Sequence, residues 1–341
     1  MMARPNHLGA AYMARKIIVV FFAEAVLSSA IAPLDVFTRT NSILVAQGQP
    51  AAFDVHLLTL NHAAALADNL AFVQHTQLSD FPPAPLGHDQ CLIIIPAFLG
   101  NWDEVCADNT ALIHWLKQQY QHGSEIASLC KGSYFLAAAG LLDGKPCTSH
   151  WAVAEDLQQR YPAIQLQPDA VITDQNGVYT GGGAFSSLNL IVYLIEKFCG
   201  HTLGILVAKH FSIQRDHVSQ AHFAMFNGLT RHNDQPIRSA QDYIQSNWQK
   251  PLTIDAIAEQ VNMSKRNFIR RFKQAVNLTP AEYIQRVKIE AAKKSLETGR
   301  ASISDIIYTL GYNDIKTFRD TFKRITGITP QDYRKKYAHE P

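Results

Sequence analysis

Hydrophobic and polar positions follow two different periods along this chain, and the change of period divides it. Up to about residue 200, short apolar runs alternate with longer amphipathic stretches. The first run, residues 16–22 (KIIVVFF), is unbroken and β-branched, the pattern of a parallel strand covered on both faces. Phe53–Leu60, Cys91–Ile95, Ile126–Leu129 and Ala170–Thr173 read as further strands. Helical periodicity falls near Leu34–Ala46, Thr110–His122, Ser133–Ala139, Ala152–Arg160 and Phe185–Phe198. Strands alternating with helices predict an α/β domain around a mostly parallel sheet. From His201 to Phe226 the pattern is helical without strands, residues 227–236 (NGLTRHNDQP) form a polar, breaker-rich linker, and the rest is helical. The expected segments are a leader (1–14), an α/β domain (15–200), a helical extension with linker (201–236) and an all-α domain (237–341).

The helical part repeats itself. Phe268, Phe272, Lys273, Thr279, Pro280 and Tyr283 recur 50 positions later as Phe318, Phe322, Lys323, Thr329, Pro330 and Tyr333. Upstream, Ile254, Ile257 and Val261 recur only 49 later, as Ile303, Ile306 and Leu310, so the second copy holds one extra residue in a turn. Asn262 and Gly311 both suit the positive φ such a turn often needs. Each copy is then a short helix, a turn and a second helix, over about residues 252–274 and 302–325. Ser264 and Asp314 are positioned as N-caps. Burying Phe268 and Phe272 exposes Lys265, Arg266, Asn267, Arg270, Arg271 and Lys273; burying Phe318 and Phe322 exposes Lys316, Thr317, Arg319, Lys323 and Arg324. An amphipathic helix with a cationic outer face has the physical form of a major-groove reader, early residues reaching base edges and flanking cations neutralising phosphates.

Charge sharpens the division. Residues 1–235 carry 12 Lys/Arg against 18 Asp/Glu, and residues 236–341 carry 19 against 11, so only the second part suits a polyanion. The segment from about Ala240 to Tyr337 resembles the AraC/XylS family of DNA-binding domains. Residues 311–314 (GYND), Phe318, residues 322–324 (FKR), residues 327–330 (GITP) and Tyr333 with Arg334 carry the likeness. That resemblance implies two helix-turn-helix units joined by a long helix, roughly Pro280–Thr298, holding the second helices about 34 Å apart along one face of a duplex.

In the first part, residues 126–129 (IASL) form an apolar strand that runs into Cys130, and a helix of small residues follows. A cysteine at a strand-to-helix turn sits at a sharp elbow near the helix's positive end, and Lys131 adds to that field. His150, in the triplet Ser149, His150, Trp151, is a candidate base or hydrogen-bond partner. The same residues also suit a plain buried core. The elbow, residues 138–144 (AAGLLDG), that triplet and residues 32–37 (APLDVF) make residues 15–200 resemble the PfpI/ThiJ branch of the class I glutamine-amidotransferase-like fold, a flavodoxin-like α/β architecture. Joined to an AraC-type tail, this resembles the GlxA family of transcription regulators, in which the α/β domain serves as sensor and dimerisation module.

The chain departs from the enzymes of that superfamily in two places. Ser29 stands where they commonly carry a glutamate, with Glu24 out of register, and residues 96–98 (PAF) replace a Gly-Gly pair that shapes an oxyanion-binding turn. Without those contributions a retired active site is expected, reused as a pocket lined by Ser29, Phe98, Cys130, Lys131, His150, Trp151 and Gly182. The resemblance implies an amino acid, betaine or amine as effector, with Trp151 and Phe98 available for cation–π contact. It also implies an activator, a homodimer, double-stranded DNA and RNA polymerase as partners. Two alternatives stay open: Cys130 as nucleophile of a hydrolase or hydratase, and Cys130 as a redox sensor. Residues 181–183 (GGG) are too short for a dinucleotide loop, and no metal or cofactor is expected. Five scattered cysteines, and no apolar run long enough to span a bilayer, point to the cytoplasm.

Overall fold

The computed structural model describes residues 14–60, 75–78, 91–214, 219–226, 228–229, 232–312 and 314–338. The expected leader and part of the linker therefore lie outside the described residues. Contacts divide the chain into two compact units, residues 1–218 and 219–341.

The strands of the first unit are β1 (Arg15–Phe21), β2 (Phe53–Thr59), β3 (His75–Gln77), β4 (Cys91–Ile95), β5 (Glu125–Leu129), β6 (Pro146–Cys147), β7 (Gln165–Leu166), β8 (Ile172–Gln175) and β9 (Val178–Gly181). Seven of them form one sheet in the order β3-β2-β1-β4-β5-β9-β8, while β6 and β7 pair separately. Every neighbour in the large sheet is parallel except β8 against β9. The unbroken apolar β1 explains itself in this setting. Ile17, Val19 and Phe21 enter one core and Ile18, Val20 and Phe22 the other, all buried. Burying each such side chain contributes about 1.5–3 kcal/mol, so the central strand has no solvent face to spend polar residues on.

One core lies under helices Leu27–Ala46, Ser187–Cys199 and His201–His210. The other is covered by Trp102–Asp108, Thr110–Gln121, Ser133–Ala138 and Ala154–Arg160. Strand order reverses between β1 and β4, and in open parallel sheets the crevice beyond such a reversal is where ligands bind. Here it is partly closed. Ala25 bridges Phe98, the Val26 N–H donates to the Ala97 carbonyl at 2.8 Å, and the Leu99 N–H to the Glu24 carbonyl at 2.8 Å.

Several elements differ from the pattern-based reading. The first helix starts at Leu27 and runs through Pro33, which removes one N–H from the ladder but is itself buried. The last expected strand shifts to Ile172–Gln175 and turns back as β9, whose four residues are too few to show a period. Helix His201–His210 ends well before Phe226, and residues 219–226 carry turns instead. The unit boundary falls before Ser219, earlier than the expected linker.

Candidate effector pocket and nucleic-acid interface

β5 ends at Leu129, and Cys130 takes φ +55° before a single 3-10 turn leads into helix Ser133–Ala138. A left-handed non-glycine residue costs about 1–3 kcal/mol, so its surroundings must impose it. Gly132 shows how tightly they do. A Cβ there would lie 2.6 Å from the Ile95 carbonyl oxygen and 2.7 Å from that of Pro96, both backbone atoms at the end of β4. The Cys130 carbonyl accepts from Ser133 Oγ (3.3 Å) and from Ser149 Oγ (3.1 Å), and those hydroxyls bond each other at 2.8 Å. Ser133 and Ser149, which sequence reasoning did not place in a role, hold the elbow.

The expected pocket residues gather around this turn, but not all with the expected roles. His150 Nδ1 accepts the Ala152 N–H at 3.1 Å, which leaves Nε2 to carry the proton of the neutral ring. The opposite ring edge rests on the backbone: a Cβ at Gly183 would meet Cδ2 at 2.8 Å. Burial first, then the charge of Lys131, hold the His150 pKa below its ordinary 6.5. The hydrogen bond that His150 makes here is to the Ala152 backbone. The Trp151 ring lies 5.1 Å from that of His150, and the Gly182 N–H donates to the Val171 carbonyl at 2.8 Å.

Lys131 Nζ sits 4.3 Å over the Phe98 ring and 3.3 Å from the Gly100 carbonyl oxygen, and burial pushes its pKa down. Phe98 is thus no open platform for a cationic ligand. It is 1% exposed, packed among Trp102, Tyr134 and Phe135, and its ring already meets the chain's own ammonium. Ser29 Oγ accepts the Ala97 N–H at 2.9 Å. Glu24 is turned to Asn109 at 3.3 Å. A separate cavity of about 360 Å³, lined by Ile205, Ala208, Lys209, Ser212, Ile213 and Gln214, contains none of the expected pocket residues.

In the second unit the repeat becomes geometry. Ile254–Gln260 and Lys265–Val276 form one helix pair, Ile303–Thr309 and Ile315–Thr326 the other, and Pro280–Glu297 runs between. The turns place Asn262 at φ +55° and Gly311 at +70°, with the second turn longer by one residue. Ser264 Oγ accepts the Asn267 N–H at 3.4 Å, and Asp314 accepts the Thr317 N–H at 2.7 Å. Such caps are worth about 1 kcal/mol each. Phe268 and Phe272 pack with Tyr283 in one small core, Phe318 and Phe322 with Tyr333 in another.

Those anchors leave Lys265, Arg266, Arg270, Lys273, Lys316, Thr317, Arg319, Lys323 and Arg324 exposed. Some are engaged within the unit. Lys265 pairs with Asp255 at 2.8 Å, Arg270 donates to Asn267 at 2.9 Å, and Arg324 to Gln285 at 2.8 Å. These contacts lie at the surface, where an ion pair contributes at most about 1 kcal/mol and a phosphate can compete. Two more residues of these faces have partners within the unit. Arg271 is half-buried and bonded to Asp234 at 2.5 Å, so it fastens helix Gln235–Asn247. Thr317 donates its hydroxyl to Asp314 at 2.7 Å and closes the cap. Sequence reasoning did not single out Ile315, at the start of the second cationic helix, or Tyr308 in the helix before it, 48% and 86% exposed, because apolar residues there look like core.

Comparison with known proteins places the two units. The profile of the DJ-1/PfpI family matches residues 15–197, more than half of the chain. The chain belongs to the DJ-1/PfpI family. Within it, this member also carries a helix-turn-helix domain, matched over residues 257–336. The HTH-type transcriptional regulator GbdR of Pseudomonas aeruginosa is 25% identical over 65% of this chain. That alignment spans 61% of GbdR, less than two thirds of its length. CdhR of the same species is 24% identical over 90% of this chain and 86% of its own. GlxA of Rhizobium meliloti is 24% identical over 69% and 72%.

The helix-turn-helix domain of this DJ-1/PfpI protein extends upstream of its profile. Residues 219–226 and 228–229, expected as helix and loose linker, lie across it as a strap. Lys336 Nζ lies 3.0 Å from His222 Nε2 in the second helix-turn-helix region. The Phe226 N–H donates to Glu290 at 3.2 Å, and Lys293, buried, donates to Glu290 at 3.0 Å and to the Ala224 carbonyl. Gly228 offers its carbonyl to Tyr283 Oη (3.0 Å) and Gln241 (2.7 Å) in the first region. No helix among the described residues is long and apolar enough to cross a membrane.

Proposed function

We propose that this protein is a DNA-binding transcription regulator whose DJ-1/PfpI domain senses a small molecule and performs no turnover. The observation that carries the reading is the pair of capped, Phe-anchored helices, each with a cationic outer face, built in register within one unit. A duplex attracts such faces through counterion release, and early helix residues reach base edges. The names of GbdR, CdhR and GlxA as transcriptional regulators support it.

The effector belongs to the amino acid, betaine or amine class and occupies the elbow lined by Cys130, Lys131, His150, Trp151 and Gly182. Its binding biases a cytoplasmic homodimer toward one placement of its DNA-binding domains, and so activates transcription through RNA polymerase. Fluorescence anisotropy of the full chain on promoter duplexes across a salt series tests the reading. Lys273→Ala and Lys323→Ala should weaken binding to every sequence and flatten the salt slope by about one unit each. Arg266→Ala and Asn267→Ala should relax sequence preference. Absence of salt-sensitive affinity for any duplex would overturn the proposal.

One observation favours a second reading. The strained φ of Cys130 is the geometry of a nucleophile elbow, so a Cys130-dependent hydrolase or hydratase remains the competitor. The Ser29 bond to the Ala97 N–H and the hydrogen bonding of His150 weigh against it. Turnover of an amide or isonitrile lost in Cys130→Ala, with DNA binding intact, would reverse that judgement.

A further inference from the structure

The two cationic helices are equally long, and an offset of 50 residues matches them position by position. Lys265 falls on Ile315, Arg266 on Lys316, Asn267 on Thr317 and Phe268 on Phe318. Where the copies agree, at the phenylalanines, they build the same fold. Where they differ, in the opening turn, they differ in chemistry. The first helix opens with three residues that all carry hydrogen-bonding groups. The second opens with a branched hydrocarbon, and the Thr317 hydroxyl two positions on is already donated to Asp314 at 2.7 Å.

Ile315 is 48% exposed although it is the first residue of a well-fixed helix, whose Asp314 cap accepts the Thr317 N–H at 2.7 Å. The core beneath is filled by Phe318 and Phe322, with Ile303, Ile325 and Ile328 packed against them, and among the described residues Ile315 lies outside it. Its neighbours on the surface are cations: Lys316 follows it, and Arg319, four residues on, shares its face. Cations drawn to phosphates would carry this hydrocarbon with them into the major groove. The one apolar group that base pairs offer there is the 5-methyl of thymine. The matching position of the first copy holds Lys265, whose ammonium reaches Asp255 at 2.8 Å and has no such use for a methyl group.

We propose that Ile315 determines specificity by packing against a thymine methyl in the major groove. The second helix-turn-helix unit then reads hydrocarbon where the first reads hydrogen bonds, and the bound site has two unlike parts. This rests on the DNA-binding reading above and adds to it the chemistry of one contact. A site with unlike parts fits the unit in one direction only, so each bound chain takes a defined orientation on its promoter.

The test removes that methyl group and nothing else. Selection from a randomised duplex library with the full chain supplies a bound sequence, and each thymine in it is then replaced singly by deoxyuridine, which keeps every hydrogen-bonding group. Fluorescence anisotropy reads the affinities of the native chain, Ile315→Ala, Ile315→Val and Arg266→Ala. At one thymine or more, uracil should weaken the native chain roughly three- to fivefold, the worth of burying one methyl-sized group. Ile315→Ala should bind the thymine duplex more weakly by at least that factor and be indifferent to uracil at the same position. Ile315→Val, which keeps a branched hydrocarbon, and Arg266→Ala, which alters the other helix, should both retain the sensitivity. Uracil tolerated at every thymine, or a sensitivity that persists in Ile315→Ala, overturns the assignment, while salt-sensitive binding leaves the regulator standing. If selection enriches no sequence the assignment also fails, and if affinity then does not respond to salt the DNA-binding reading fails with it.

Discussion

Replacing Lys293 by methionine removes one half of a buried ion pair and keeps most of the side chain's volume. The lysine side chain is 5% exposed and that of Glu290 17%, at 3.0 Å. The ammonium also bonds the Ala224 carbonyl, while Glu290 accepts the Phe226 N–H. Removing the cation leaves a carboxylate in a poorly hydrated site, which costs about 3–5 kcal/mol. The partial exposure of Glu290 puts the lower end in play. A unit of roughly 120 residues unfolds with an entropy near 0.25 kcal/mol/K, so about 12–20 °C of its melting temperature should go. Differential scanning calorimetry of the full chain reads this as a fall in one transition, identified by its response to DNA, with the other unmoved. Adding Glu290→Gln removes the orphaned charge yet keeps an acceptor for Phe226, and should recover most of the loss. A single variant costing under about 1 kcal/mol, or a double variant as unstable as the single, would refute the claim that charge burial holds the strap.

Other outcomes follow from the same contacts. Gly132→Ala must displace backbone at the end of β4 and should cost at least about 1–3 kcal/mol in urea unfolding of the first unit. Arg271→Ala should lower stability without changing the salt slope of DNA binding, because its partner is Asp234. The His150 pKa is lowered in the fold, so the unfolded chain takes up a proton first as pH falls. That contribution is complete above about pH 6.5 and is lost as pH falls below it toward the folded pKa; His150→Gln should flatten this part of the stability profile. Burial pushes the Cys91 thiol up to about 11 and the Cys147 thiol to about 12, so both should resist alkylation at pH 8 until the domain unfolds, as mass spectrometry can show.

The sequence by itself determined what depends on near neighbours. An unbroken β-branched apolar run such as Ile17–Phe22 is a strand buried on both faces, and phenylalanines four apart with Ser264 or Asp314 ahead of them make a capped amphipathic helix. The 49-against-50 offset was legible too, since a repeat reports its own turn length. Only the tertiary structure decided the partners of polar groups far apart in the chain. The Ser29–Ala97 bond spans 68 residues, Arg271–Asp234 spans 37 and Lys293–Ala224 spans 69. Nothing local distinguishes Arg271, bonded to Asp234, from Arg270, or tells that Lys131 will lie over Phe98. Periodicity tells a side chain which way to face, whereas the packing of whole elements chooses what it meets there.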